Sequence, residues 1–223
     1  MDLFLQAVNA AAPKFSSIET EIRELRRSYP NLSKKELADK YGNRLRSKYT
    51  NVGVVTALPG AIPGIGTKIQ IAVEVGSISA DLALMLRWMA AMCYGIALIY
   101  EKDISSEFNQ EFIKVLGVWC KVITIAKEAT SKIATRIAVV QFNKRVSSKI
   151  LQRINQRVGT TIITKYGTKR GGVALGRLIP FGVGAAVGGT FNFVAMNAFK
   201  KAALKYYQST DNEFIYVDFE EVK

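Results

Sequence analysis

The chain has 223 residues, 49% of them hydrophobic and 22% charged, which is enough for one domain with its own core and too apolar for a disordered tail. Its formal net charge is +13, from 31 basic and 18 acidic side chains, and it contains no histidine. That absence excludes Ser-His-Asp and Cys-His nucleophile pairs, imidazole general bases and His-ligated zinc, and with them most hydrolase chemistry.

The first residues lack a basic n-region and a cleavage site, so no secretory signal is expected. Leu3, Phe4, Ala7, Val8 and Ala11 recur at helical spacing, as a small docking helix or an interfacial anchor would. Ser16 or Ser17 opens a charged helix to about Ser28, with Glu19 in capping-box position to Ser16 and Pro30 as the stop. Ser33 and Glu36 form a second capping box. The helix they start has Leu37, Tyr41, Leu45 and Tyr49 four apart and Lys34, Lys35, Lys40, Arg44 and Lys48 elsewhere, so it is amphipathic. Residues 1–50 read as a charged helical cap on a more apolar body.

From Tyr49 to Thr67 there is no charge for 19 residues, but Pro59, Gly60, Pro63, Gly64 and Gly66 break the run into a tight apolar elbow. The next helix, about 68–100, is apolar over most of its surface and carries Gln70, Glu74, Ser77 and Asp81 on one stripe, with Arg87 beyond. Glu74, Asp81 and Arg87 are expected as buried polar groups that pair with one another or with a basic helix. Cys93 and Cys120 sit alone in apolar surroundings, which fits a reducing, intracellular setting and no metal site. A helix over about 105–127 and a basic one over about 128–158 follow, then turns around Gly167, Gly171 and Gly172.

Leu178–Phe199 is the strongest membrane signal, 22 uncharged residues that would span about 33 Å as a helix. Arg177 precedes it and Lys200 and Lys201 follow. Gly172, Gly176, Gly184 and Gly188 share a four-residue register interrupted by Pro180, a glycine stripe that lets another backbone approach closely in lipid or in water. Asn192 and Asn197 lower the apolar drive, so a buried hairpin and a true span remain equally open. Ser209–Lys223 is acidic, extended-looking at Phe214, Tyr216 and Val217, and placed to fold back onto the basic segment.

Charge is strongly segregated along this order. Residues 1–128 hold 16 basic and 13 acidic side chains, 129–210 hold 14 basic and none acidic, and 211–223 hold one basic and five acidic. Such an acid-free stretch implies an anionic partner, nucleic acid or acidic lipid. Within it Arg145, Lys149, Arg153 and Arg157 recur every four residues beside an apolar row at Val146, Ile150, Ile154 and Val158. Six such cations at an anionic leaflet would contribute roughly 6 kcal/mol, enough for recruitment but not for anchoring.

Several motifs fail on inspection. GAIPGIGTK, Gly60 to Lys68, has Gly66-Thr67-Lys68 where a phosphate loop needs Gly-Lys before Ser or Thr. Gly182, Gly184 and Gly188 miss the dinucleotide spacing because Val187 holds the third position. Ser33 to Gly42, SKKELADKYG, looks like the start of a helix-turn-helix, yet the helix that would read a groove runs straight into the apolar elbow. Glu74 and Asp81 have no neighbouring metal-ligand cluster to make them a catalytic pair.

Three features together resemble the EcsC family of bacterial proteins: the Leu58-Pro59-Gly60 and Pro63-Gly64 elbow; the helix with Asp81 that ends near Tyr100 before Asp103; and the Ile179-Pro180, Gly184, Gly188, Asn192 pattern leading to Ala202. They cover about residues 35–207, and the chain departs from the family's Tyr-Gly at Tyr100-Glu101. The resemblance implies a helical, membrane-associated protein with no established enzymatic activity, in a family named for its link to an ABC-transporter operon.

The expectation is a single all-α domain, a helical bundle with Gly/Pro-rich apolar hairpins (1–50 cap, 51–207 core) and a short acidic extended C-terminal tail (208–223). It would act without catalysis or cofactor, binding anionic membrane lipid through Lys144, Arg145, Lys149, Arg153, Arg157, Lys200 and Lys201. Pro59, Gly60, Pro63, Gly64, Gly184, Gly188 and Asn192 would shape helix packing or insertion. A protein partner, a role as accessory to a membrane transport system and a homo-oligomer fit the same reading, at the cytoplasmic membrane and peripheral or partly inserted. The alternatives are a membrane-permeabilising effector that inserts the glycine-striped helix and a basic nucleic-acid-binding module.

Overall fold

A computed structural model describes residues 12–55, 80–125, 135–137, 154, 183–209 and 215–217. Glu74, the elbow residues Pro59, Gly60, Pro63 and Gly64, and the cations Lys144, Arg145, Lys149, Arg153 and Arg157 lie outside them. The described core is helical, as expected, and its helices are α1 (Phe15–Ser28), α2 (Lys34–Val55), α3 (Ala80–Ile99), α4 (Phe108–Trp119) and α5 (Val183–Gln208).

Helix α1 buries Ile18, Ile22 and Leu25, one stripe at helical spacing. It starts one residue before Ser16, so the expected Ser16–Glu19 capping box does not form. The Ser16 carbonyl accepts from the Thr20 hydroxyl (3.0 Å), and Glu19 accepts from the buried Tyr94 hydroxyl (2.8 Å). In α2 the box does form: Glu36 accepts from the Ser33 N–H (2.9 Å) and hydroxyl (2.6 Å), and Ser33 Oγ accepts from the Glu36 N–H (3.3 Å). Both groups favour the ionised carboxylate, hydroxyl first, and hold Glu36 below its usual range. Leu37, Tyr41, Leu45 and Tyr49 are buried together with residues of α3, α4 and α5. The apolar stripes of α1 and α2 are thus one side of the common core.

Helix α3 is buried on most of its circumference, from Met85 and Leu86 to Ile96 and Ile99. The ring of Tyr41 lies against Gly95, where a Cβ would come within 2.2 Å of it, and its hydroxyl donates to the Ala91 carbonyl (3.2 Å). At the end of α3, Glu101 takes a left-handed φ of 62°. The Glu101 N–H donates to the Leu98 carbonyl (2.9 Å) and the Lys102 N–H to the Ala97 carbonyl (3.0 Å), a Schellman stop made without glycine. Arg26 of α1 donates to the Leu98 (2.9 Å) and Ile99 (3.1 Å) carbonyls, which places a cation at the negative end of the helix.

The expected helix over 105–127 stops at Trp119. Lys121 has φ 64°, and the Val122 N–H donates to the Gly117 carbonyl (2.9 Å), the same kind of stop. The chain then extends as β1 (Ile123–Ile125), whose Ile123 packs on Gly117. A second correction falls in the expected basic helix: Thr135–Ile137 is a strand, β2. Both pair antiparallel with β3 (Ile215–Val217) in the order β1-β3-β2, with Tyr216 opposite both Thr124 and Arg136. Ile154, on the apolar row of the basic segment, is fully buried and also lies near Gly117.

Helix α5 buries Ala195, Met196, Phe199, Ala202, Ala203, Tyr206 and Tyr207, and packs most extensively on α2. Gly42 permits the approach, since a Cβ there would lie 2.6 Å from Lys200 Cγ. Among the described residues no helix is long and apolar enough to cross a membrane.

Candidate functional site

The contacts fix the directions of the helices. Along α2 and α5, Arg46 meets Phe193 and Asn197, and Asn43 and Asp39 meet Lys200, so the two run antiparallel. Along α2 and α3, Tyr49 faces Trp88 (ring centroids 6.4 Å apart) and Tyr41 reaches Ala91, again antiparallel. The end of α2 and the beginnings of α3 and α5 therefore share one pole of the bundle. Val55, Ala80 and Val183 all lie at that pole. The intervening 56–79 carries two charges, Lys68 and Glu74, and the residues leading into Val183 are Leu178-Ile179-Pro180-Phe181-Gly182.

The opposite pole is polar and closed by its own contacts. Lys34 pairs with Glu101 (2.7 Å), Gln208 donates to the Tyr100 hydroxyl (2.9 Å), and Asp103 accepts from the Ser105 hydroxyl (2.7 Å) and N–H (3.0 Å). Lys34 lowers the Glu101 carboxyl from its usual value, and the Ser105 hydroxyl does the same for Asp103. A shallow groove here is lined by Lys35, Glu36, Asp39, Lys40 and Asn43 with Leu32 and Leu204. Its carboxylates are already engaged, Glu36 by Ser33 and Asp39 by Asn43 and Lys200, so the groove offers no convergent acid and base.

Midway along α5, Phe193 is 41% and Val194 54% exposed, large apolar side chains turned to solvent. The Arg46 guanidinium stacks 4.1 Å over the Phe193 ring and donates through Nη1 to Asn197 Oδ1 (2.9 Å). Its neighbours Arg44 and Lys48 pair instead with Glu21 (3.3 Å each).

Of the expected lipid contacts within the described residues, Lys201 is exposed but Lys200 is not. Lys200 is 6% exposed and donates to Asp39 (2.5 Å) and Asn43 (2.8 Å), so it holds α5 to α2 and is removed from the surface set. Gly184, Gly188 and Asn192 fall in the first half of α5, and Asp81 in the first turn of α3. Arg87 is half-buried and makes no ion pair with a described carboxylate. The sequence reading missed Arg46, Phe193 and Val194, whose only signal was an aromatic and a β-branched residue off the buried stripe of α5.

The interior holds two polar groupings. Lys114, 2% exposed, pairs with Glu111 (2.5 Å), which also accepts from Tyr206 (3.1 Å). Cys93 lies 3.3 Å from the Tyr207 hydroxyl, and burial pushes its thiol up to about 12, so it is no nucleophile at neutral pH. Among the described residues no cluster of three or more Cys, Asp or Glu could hold a metal ion. Comparison with family models, curated proteins and solved structures finds no match to this chain.

Proposed function

We propose that the protein works without catalysis, by contact, resting its apolar pole on an anionic membrane surface where it meets a protein partner. The observation that carries this reading is the convergence at one pole of the helix ends that bound the weakly charged 56–79 and follow the apolar 178–182. The acid-free stretch 129–210 supplies the attraction to acidic headgroups. The likeness of the elbow and of the Gly184, Gly188, Asn192 pattern to the EcsC family belongs to the same proposal, including a role as accessory to membrane transport. A peripheral mode is favoured over insertion because α5 is fastened through Lys200 and Tyr206.

Co-flotation of the purified protein with neutral and with anionic liposomes tests it. Binding to anionic vesicles alone, released by high salt, is expected. Retention through an alkaline carbonate wash would replace the peripheral mode by insertion and membrane permeabilisation. No flotation, with salt-dependent binding to duplex DNA, would replace it by nucleic-acid binding.

A further inference from the structure

The strand that completes the sheet comes from the most acidic part of the chain and pairs with the most basic. Residues 211–223 carry five carboxylates and one cation, whereas 129–210 carry 14 cations and no carboxylate. Ile215–Val217 of the first forms β3, Thr135–Ile137 of the second forms β2, and the two lie in register with Arg136 opposite Tyr216. As the central strand, β3 also holds β1 on its other edge, where Ile123 is the partner of Val217. A Cβ on Gly117 would meet both Ile123 (2.4 Å) and Ile154 (3.0 Å), so a second residue of the basic stretch, fully buried, stands beside the same sheet. Asp211, Glu213, Asp218, Glu220 and Glu221 are each within four residues of β3, a reach of at most about 14 Å of extended chain. The backbone and the apolar Ile215 and Val217 suffice for a three-residue ladder; the carboxylates around it bring instead a charge opposite to that of the stretch it pairs with.

We propose that the acidic C-terminal segment is a built-in competitor of the anionic membrane surface: β3 holds it against the basic stretch, where its carboxylates occupy cations that acidic headgroups would otherwise take. This rests on the membrane reading above. Because the competitor belongs to the same chain, its effective concentration is about millimolar and does not fall on dilution. A sparsely charged bilayer is then refused, while a densely anionic one displaces the carboxylates. The contact sets a threshold in surface charge, which the basic stretch alone would not have.

The test is flotation at fixed salt with vesicles of phosphatidylcholine holding a rising fraction of phosphatidylglycerol. The wild-type chain is compared with the tail variant Asp218→Asn/Glu220→Gln/Glu221→Gln and with Glu24→Gln/Glu101→Gln/Glu107→Gln, which removes three exposed carboxylates away from the sheet. A third variant, Tyr216→Pro, keeps every charge but takes an N–H from the middle of the central strand. The unfolding midpoint of each is measured first, and the two charge variants keep the test open if Tyr216→Pro fails to fold. At a low phosphatidylglycerol fraction the tail variant should partition about tenfold more strongly than the wild type and Tyr216→Pro about threefold, with a gain below about twofold for the charge-matched control. The differences should narrow as the fraction rises. Equal gains for the two charge variants, or no gain for a folded Tyr216→Pro, would overturn the inference and leave the membrane reading standing. If neither the wild type nor the tail variant floats at any fraction, both fall.

Discussion

The two poles of the bundle are built from the same helices and treat charge in opposite ways. At the polar pole charges and polar groups meet: Lys34 has Glu101, Glu36 has Ser33, Asp103 has Ser105, and Arg26 closes the end of α3. The other pole gathers the end of α2 and the beginnings of α3 and α5, and midway along α2 Arg46 has an amide and an aromatic ring but no carboxylate among the described side chains. Between them lies a tightly packed middle, which sets the scale for every change at either end.

The largest effect is expected in that middle. Gly95→Ala puts a methyl group into the fully buried Tyr41 ring, which has no room to move, and should destabilise the fold by about 3 kcal/mol in urea unfolding. Lys200→Ala removes the tie between α5 and α2 and leaves Asp39 and Asn43 without their shared donor. Because Asp39 is 47% exposed and can hydrate, the loss should be about 2 kcal/mol rather than that of a fully buried pair. A surface lysine would show almost none, so this variant decides between a structural and a lipid-facing Lys200.

Changes at the polar pole should be smaller. Ser33→Ala removes the cap of α2 and should cost about 1 kcal/mol by the same measurement. Acid should weaken this pole too. Glu36, Glu101 and Asp103 are held below the usual 4.5, 4.5 and 3.8, so the stability they give is complete above those values and is lost as pH falls through their lowered folded ones. The unfolding midpoint should therefore drop below about pH 4.5, less steeply in Ser33→Ala. Smallest of all, Val194→Ser should change stability by no more than about 0.5 kcal/mol, since the side chain is already in water. A large loss there would show that this side of α5 is part of the core.

What the sequence disclosed follows from which physical signals are local. The apolar row of α2 and the Ser33–Glu36 box are written within a few residues and are found where expected. The end of α4 was harder, because Lys121 occupies a left-handed position that glycine usually marks. Without a glycine there, α4 appeared to continue through β1. Lys200 and Lys201 are indistinguishable in a linear reading, and only the approach of α5 to Gly42 separates a buried tie from an exposed cation. Arg46 was hidden for the same reason: in sequence it is one of several cations on α2, and its lack of a carboxylate is a property of what α5 brings to it.

The pairing of α2 with α5 also sets an order in time. Asp39 and Lys200 are 161 positions apart, so the face of α2 that α5 covers stays open until α5 itself has been made. Closing so long a loop is slow, and helices α1 to α4 must persist meanwhile with an uncovered apolar groove. During synthesis that groove is a ready target for other chains and for chaperones, and the final helix is the stroke that withdraws it.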